Sequence, residues 1–330
     1  MNYKESAKIL KEIKKAKKIL VNCHRGPDPD SVSSALALAK ILEAMGREVL
    51  IICPSEIPDN LKFLPGSKKI KRIDFSSFKF SEYDLFIAVD SSDYSMVSGS
   101  KTMKQPKEIP FIVIDHHFSN SGFGKVNLID PGVTSTGELL FKVFEDWNVK
   151  LDSEIAQDLL TGIIGDTGVF QYQNVGAGTL EVAANLIRLG AQKDEIVQQI
   201  YRNVSFAEIK IWGKIIENME IDKEHRFVWS TMPITIRSNF VGTDSIKEDA
   251  ANLFFPVVQD TDFGVIMEER GDSALSASFR SRSGFDVSKI AQDLGGGGHR
   301  VAAGAQVEGL SFEEAVEKVL FTCRKYAKRA

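Results

Sequence analysis

The stretch HRGPDPD, residues 24–30, puts an imidazole and two carboxylates into seven positions directly behind the apolar run KILVNC. Further along, DLFIAVD ends in Asp90, FIVIDHH ends in Asp115, His116 and His117, and GIIGDTGVF carries Asp166. A turn, a helix cap or an ordinary hydrogen-bonding histidine would explain any one of these alone. Gathered in one place, however, so many carboxylates repel each other unless cations sit among them. With prolines at 27 and 29, segment 28–30 is expected to be extended, so that Asp28 and Asp30 point to the same side. Each could then face one ion of a pair about 3.5–4 Å apart, with a third carboxylate bridging the two. The donors are nitrogen and oxygen without thiolate, which suits Mn²⁺, Fe²⁺, Co²⁺ or Zn²⁺, and the carboxylate excess favours Mn²⁺. Such a two-metal centre performs hydrolysis at phosphorus or at a carbonyl.

A sheet must position these residues. KILVNC leads into SVSSALALAKILEAMG, read as a helix with Ser31 as N-cap and Gly46 as stop. EVLIIC, DLFIAVD and FIVIDHH follow as strands, then STGELLFKVFEDW and SEIAQDLLTGIIGDTG as helices. This alternation, with near-continuous apolar strands, predicts an α/β fold whose N-terminal domain is a mostly parallel sheet covered by helices. Its carboxyl edge would gather His24, Asp28, Asp30, Asp90, Asp115, His116 and His117, with Asp166 joining if its helix ends over that edge. From HRFVWSTMPIT onward the style changes, predicting a smaller C-terminal α/β domain with a mixed sheet. The expected division is a catalytic domain over 1–195, a helical linker over 196–220 and a substrate-binding domain over 221–330, with the active site in the cleft between domains. In the N-terminal MNYKESAKILKEIKKAKK, Ala7, Leu10, Ile13 and Ala16 form an apolar stripe expected to pack on the domain.

At 330 residues, 43% hydrophobic and 26% charged, the chain has room for two cores. The net charge of −4 argues against a grip on long duplex nucleic acid and leaves room for a short phosphorylated substrate. The apolar runs are far too short to span a membrane, and the N-terminus lacks the apolar region of a signal peptide. Cys23, Cys53 and Cys323 are odd in number and form no CxxC, which fits a reducing cytoplasm.

HRGPDPDS, AVDSSD, IDHH and GDTGVF, in that order, resemble the motifs of the DHH phosphoesterase superfamily, and LGGGGHRVAAGA with SFRSR upstream resembles its DHH-associated C-terminal domain. Within that superfamily the chain is most similar to the bacterial oligoribonuclease (nanoRNase)/pAp-phosphatase group. The resemblance implies that His24 and Asp28 hold one divalent ion, that Asp30, His116 and Asp166 hold a second, and that Asp90 bridges them. It implies a positioning role for Asp115 and a substrate-facing catalytic role for His117. Arg280, Arg282, Gly296, Gly297, Gly298, His299 and Arg300 become the residues expected to contact substrate phosphate. The implied activity is hydrolysis of short oligoribonucleotides (nanoRNA) and 3′-phosphoadenosine 5′-phosphate (pAp) by a two-metal-activated hydroxide. A cyclic di-AMP or pApA phosphodiesterase is the alternative, and a catalytically silent nucleotide-binding protein a further one. A homodimer is among the assemblies the sequence leaves open. The chain departs from the family at Ser33, where glycine is usual.

Overall fold

The structure is a computed structural model that describes residues 2–237, 246–271 and 273–327. It divides into two compact units, Met1–Asn203 and Val204–Ala330, residues 196–203 belonging to the first and 204–220 to the second.

The first unit runs α1 (Lys4–Lys15), β1 (Lys18–Asn22), α2 (Pro29–Ala44), β2 (Glu48–Cys53), β3 (Lys71–Arg72), β4 (Leu85–Val89), α3 (Tyr94–Ser98), β5 (Phe111–Asp115) and β6 (Val126–Ile129), followed by α4 (Thr136–Asp146), α5 (Ser153–Asp166), α6 (Ala177–Arg188) and α7 (Lys193–Tyr201). Its strands form one sheet in the order β3-β2-β1-β4-β5-β6, every neighbouring pair parallel. Alternate strand residues feed two cores, which is why these strands read as continuous apolar runs. Ile19, Val21, Ile87, Val89, Ile112 and Ile114 face the helical layer. Leu20, Ile52, Phe86, Ala88, Phe111 and Val113 face the opposite side, together with the phenylalanines of the β3–β4 connection.

Two local readings are corrected. Asp28, not Ser31, caps α2: its Oδ1 accepts from Ser31 N at 2.9 Å, and Pro29 occupies the first helical turn. Segment 28–30 is therefore not extended throughout, since Asp28 is β-like and Asp30 already helical. The N-terminal stripe packs on the domain as expected through Leu10, Ile13 and Ala16, joined by Ile9 and Ser6, while Ala7 alone of the four is exposed.

The second unit runs α8 (Phe206–Glu217), β7 (Glu220–Asp222), β8 (Phe227–Met232), α9 (Ile234–Arg237), α10 (Ile246–Phe254), β9 (Phe263–Glu269), β10 (Ala274–Ser281), α11 (Ser288–Asp293), β11 (Gly297–Gly298), β12 (Ala302–Glu308) and α12 (Phe312–Tyr326). Its sheet, β11-β12-β10-β9-β8-β7, is mixed: β8 and β9 are parallel and the other pairs antiparallel. Leu275, Ala277 and Phe279 of β10 pack with α11 and α12 on one face, while Val228 and Ile266 pack with α8 and α10 on the other. The three cysteines are buried and free. Among the described residues no helix is long and apolar enough to cross a membrane.

Candidate metal centre and substrate-contact residues

Strands β1, β4 and β5 are adjacent and parallel, so the residues that follow them meet at one carboxyl edge. The chain order reverses between β1 and β4, the place where open α/β sheets leave a crevice. His24 lies just past β1 with its backbone N–H on Ser31 Oγ at 2.9 Å. Its Nδ1 lies 2.9 Å from the Arg25 carbonyl, which can only accept, so Nδ1 carries the hydrogen. Nε2 is left facing Asp28 Oδ2 and Asp90 Oδ2, each at 3.4 Å.

Asp90 is the hub. It is buried and takes a left-handed backbone (φ 52°), a conformation that aspartate tolerates better than most residues. His24 Nε2, His116 Nε2 (3.5 Å) and His117 Nδ1 (3.8 Å) surround its carboxylate, and Thr136 Oγ1 donates to Oδ1 at 3.1 Å. Asp166, the last residue of α5, brings Oδ2 to 3.1 Å from His116 Nε2, yet that buried nitrogen makes no hydrogen bond of proper geometry. Asp115 lies one layer back. Its Oδ1 is 2.7 Å from His117 Nδ1 and its Oδ2 accepts from Asn120 Nδ2 at 2.7 Å, which fixes the His117 ring.

Asp30 is held by an element that its motif does not contain. Its fully buried carboxylate accepts from Thr136 N (2.6 Å) and Gly137 N (2.9 Å) at the start of α4, and from Ser34 Oγ (3.2 Å). A helix N-terminus favours such a charge. Glycine lets the helices close in: a Cβ at Gly162 would overlap Asp30 Oδ1, and one at Gly165 would lie 2.7 Å from Pro29 Cβ.

Three groups could each hold an ion, their donor atoms within 4.8 Å of one another: His24 with Asp28 and Asp90, Asp30 with His116 and Asp166, and Asp90 with His116 and His117. The electrostatics fit cations. Burial pushes His24 down, but Asp28 and Asp90 more than reverse it, leaving the ring well above its ordinary pKa. His116 rises to about 10, burial being outweighed by Asp166, Asp90 and Asp30. Burial and then Asp90 and Asp166 drive Asp30 up, while burial with Asp28 and Asp90 takes Asp166 to about 6 against the pull of His116. Burial also pushes Asp28 up, but its half-exposed carboxylate ends below the usual range because His24 and the Ser31 N–H prevail. Imidazoles and carboxyls that both hold their protons mark a site short of positive charge, and the His/Asp donors suit a hard or borderline divalent ion.

In the second unit, Arg280, next to last in β10, lies opposite Ala302, whose backbone exchanges hydrogen bonds with His299, so the two lie at the same end of the sheet. Arg280 donates to the Phe279 carbonyl at 2.9 Å and to Asn252 Oδ1. Arg300 Nε donates to Gly284 O at 3.1 Å, and exposed Arg282 reaches Thr261 O at 3.4 Å. The glycines have different reasons to be glycine. A Cβ at Gly296 would overlap Gly304 O, and one at Gly298 (φ 139°) would lie 2.7 Å from Ala302 O, so β12 requires both. At Gly297 a Cβ would meet nothing, which leaves that backbone open on its exposed side.

The N-terminal domain of the DHH family matches residues 18–163 and the DHHA1 domain matches residues 258–328. The chain is 30% identical to the bifunctional oligoribonuclease and PAP phosphatase NrnA of Thermus thermophilus, over 99% of this chain and 96% of that protein. The chain belongs to the DHH family. The cyclic-di-AMP phosphodiesterase GdpP of Bacillus subtilis is 27% identical over 96% of this chain but 49% of its own length. An exopolyphosphatase-related protein from Bacteroides fragilis, solved by crystallography, shares the fold with a TM-score of 0.91 at 26% identity, covering 98% of this chain and 96% of that one.

In this DHH protein, sequence reasoning missed Thr136 and Gly137, which clamp Asp30, and Asn120, which holds Asp115. STG at 135–137 signals only a helix start, and nothing local says that the start docks on a carboxylate 106 residues away. The pair Gly162 and Gly165 inside α5 was the available sign of a close helix contact.

Proposed function

We propose that this DHH protein cleaves short oligoribonucleotides and pAp in a metal-dependent reaction. It is a hydrolase acting on phosphoester bonds. The observation that carries the reading is the overlap of three His/Asp groups, two sharing Asp90 and two sharing His116, on the carboxyl edge of a parallel sheet. His24, Asp28 and Asp90 would hold one ion and Asp30, His116 and Asp166 the other, with Mn²⁺ the proposed pair, supplying Lewis acidity toward the phosphoryl oxygens.

His117 has its Nδ1–H committed to Asp115, so its other nitrogen is the one left for substrate. Burial lowers its pKa, but Asp115 and Asp90 raise it further, which favours a protonated ring able to donate to a phosphoryl or leaving oxygen. Arg280, Arg282, His299 and Arg300, with the open backbone at Gly297, are proposed to grip a substrate phosphate. Full-length similarity to an enzyme named for oligoribonuclease and PAP phosphatase activity supports these substrates. A second reading, cyclic di-AMP or pApA hydrolysis, is favoured by the similarity to GdpP over 96% of this chain.

The deciding experiment offers two- to five-nucleotide RNA, pAp, pApA and cyclic di-AMP to the purified protein with Mn²⁺ or with chelator. Short RNA and pAp should be hydrolysed, and chelation or Asp90→Ala should abolish turnover. Turnover that survives either treatment refutes the metal-dependent reading. Turnover of cyclic di-AMP far above the linear substrates promotes the second.

A further inference from the structure

Phe118 follows His117 directly, so its Cα lies about 3.8 Å from that of the proposed substrate-facing histidine. It is 92% exposed, whereas every other phenylalanine of the first unit is buried or half-buried. A solitary exposed apolar residue is ordinary on a protein surface. This one differs in how firmly its backbone is held. Asn120 N–H donates to His117 O (3.1 Å), closing the turn, and Asn120 Nδ2 donates to Asp115 Oδ2 (2.7 Å) and Ser91 O (3.0 Å). The turn that displays the ring is thereby tied to the ends of β4 and β5, the strands that deliver Asp90 and Asp115.

A second fixed aromatic follows another candidate ligand. Tyr172, 56% exposed, comes six residues after Asp166 and donates its backbone N–H to Thr167 O. Its ring lies against Gly168, where a Cβ would sit 2.7 Å from Tyr172 Cε1. The turn between is left-handed at Gly168 (φ 55°), Val169 (φ 60°) and Phe170 (φ 64°). Valine there is strained, and strain of this kind persists where surrounding structure enforces it at functional sites.

We propose that Phe118 stacks on a nucleobase next to the scissile phosphate, with Tyr172 offering a second stacking face. This rests on the reading of the site as one for short RNA. Stacking on an aromatic ring accepts any base, because every base has a π face. Phe118 has no group with which to read base edges, so the substrate class it fits is short RNA of any sequence.

The test measures Phe118→Ala, Phe118→Trp and Tyr172→Ala against wild type, with diribonucleotides, with a dinucleotide lacking both bases, and with a methylphosphonate-linked dinucleotide carrying 2-aminopurine. Phe118→Ala should raise KM for the diribonucleotide about tenfold, with kcat within about twofold. It should also abolish the fluorescence quenching of bound 2-aminopurine, leave cleavage of the base-free substrate unchanged, and be rescued by Phe118→Trp. Tyr172→Ala should show a smaller KM effect of the same kind. Wild-type KM and quenching in Phe118→Ala overturn the proposal. So does an equal loss of kcat on the base-free substrate, or a change of oligomeric state at unaltered KM. If the wild type cleaves neither short RNA nor pAp, the underlying reading fails, while the 2-aminopurine signal still reports on stacking by itself.

Discussion

Gly162→Ala separates the role of Asp30 that the structure shows, capping α4, from the one proposed for it, holding a metal. A methyl at 162 would overlap Asp30 Oδ1 and lie 3.3 Å from Asp30 Cγ and 3.1 Å from Ser33 Oγ. The carboxylate has no room to retreat, because Thr136 N and Gly137 N grip it. Gly137 in turn is packed so closely that a Cβ there would lie 2.8 Å from Leu159 O of α5. Alanine in place of glycine inside a helix favours folding by about 1 kcal/mol. Overpacking costs about 1–3 kcal/mol, and each weakened hydrogen bond to the charged carboxylate costs about 1.5–3 kcal/mol more. With one such hydrogen bond weakened, the net expectation is a loss of roughly 1.5–5 kcal/mol in the protein held in chelator. Displacing a ligand or its support should weaken Mn²⁺ binding about 10- to 100-fold. The assay pairs calorimetric Mn²⁺ titration with thermal melts in chelator, and uses Gly165→Ala as companion. There, one residue before Asp166, the clash is with Pro29 Cβ at 2.7 Å, between Asp28 and Asp30, so stability and Mn²⁺ affinity should fall together. A destabilised Gly162→Ala that binds Mn²⁺ within twofold of wild type would refute Asp30 as a ligand and leave it as a cap alone.

Ser33→Ala should stabilise the protein. The Ser33 hydroxyl is buried without a hydrogen-bond partner, and removing it should gain about 1–2 kcal/mol, or about 2–4 °C in Tm per kcal/mol; a lowered Tm would show that the hydroxyl is bonded after all. Asp158 of α5 is fully buried beside Lys40 Nζ at 2.7 Å, and burial, reinforced by Glu154 and Asp152 against the pull of Lys40, raises its carboxyl to about 7. An unfolded aspartate titrates near 3.9, so between those values the native chain holds the extra proton: the stability this contributes is complete below about pH 4 and is lost as pH rises through 7, by about 1.4 kcal/mol per pH unit. Urea unfolding of wild type and Asp158→Asn in chelator should therefore diverge with rising pH in favour of the variant, and parallel curves would show that Asp158 does not titrate in this range.

Much of the site was legible because a parallel sheet converts sequence order into place. Residues at the carboxyl ends of β1, β4 and β5 must share an edge once the strands are adjacent, so His24, Asp90 and Asp115 could be put together without coordinates. What stayed hidden depends on contacts that no short window contains. Ser31 read as the cap of α2, whereas Asp28 takes that place, with Pro29 at the first helical position and Ser31 N donating to its carboxylate. Strand β6 was missed because Val126, Asn127, Leu128 and Ile129 are few, and only Leu128 is fully buried. The GGGG run suggested a backbone bared for a ligand, whereas Gly296 and Gly298 answer to the packing of β12 and only Gly295, left-handed at φ 81°, and Gly297 face open space.

Ser33 shows why a departure from a pattern cannot be weighed at a single position. A glycine at 33 would ease the approach of α2 to whatever it packs against, and a serine there suggests a looser helix start. The structure places Ser33 Oγ where a Cβ at position 162 would lie 3.1 Å away, and position 162 is glycine. The space that the serine takes on α2 is thus left free on α5. Smallness is required of the contact between the two helices and not of either residue alone. With Gly162 in place, Ser33 fits beside Asp30 while the Thr136 and Gly137 N–H groups keep their grip on the carboxylate. The double variant Ser33→Gly with Gly162→Ala would not restore the site, because the added methyl still overlaps Asp30 Oδ1.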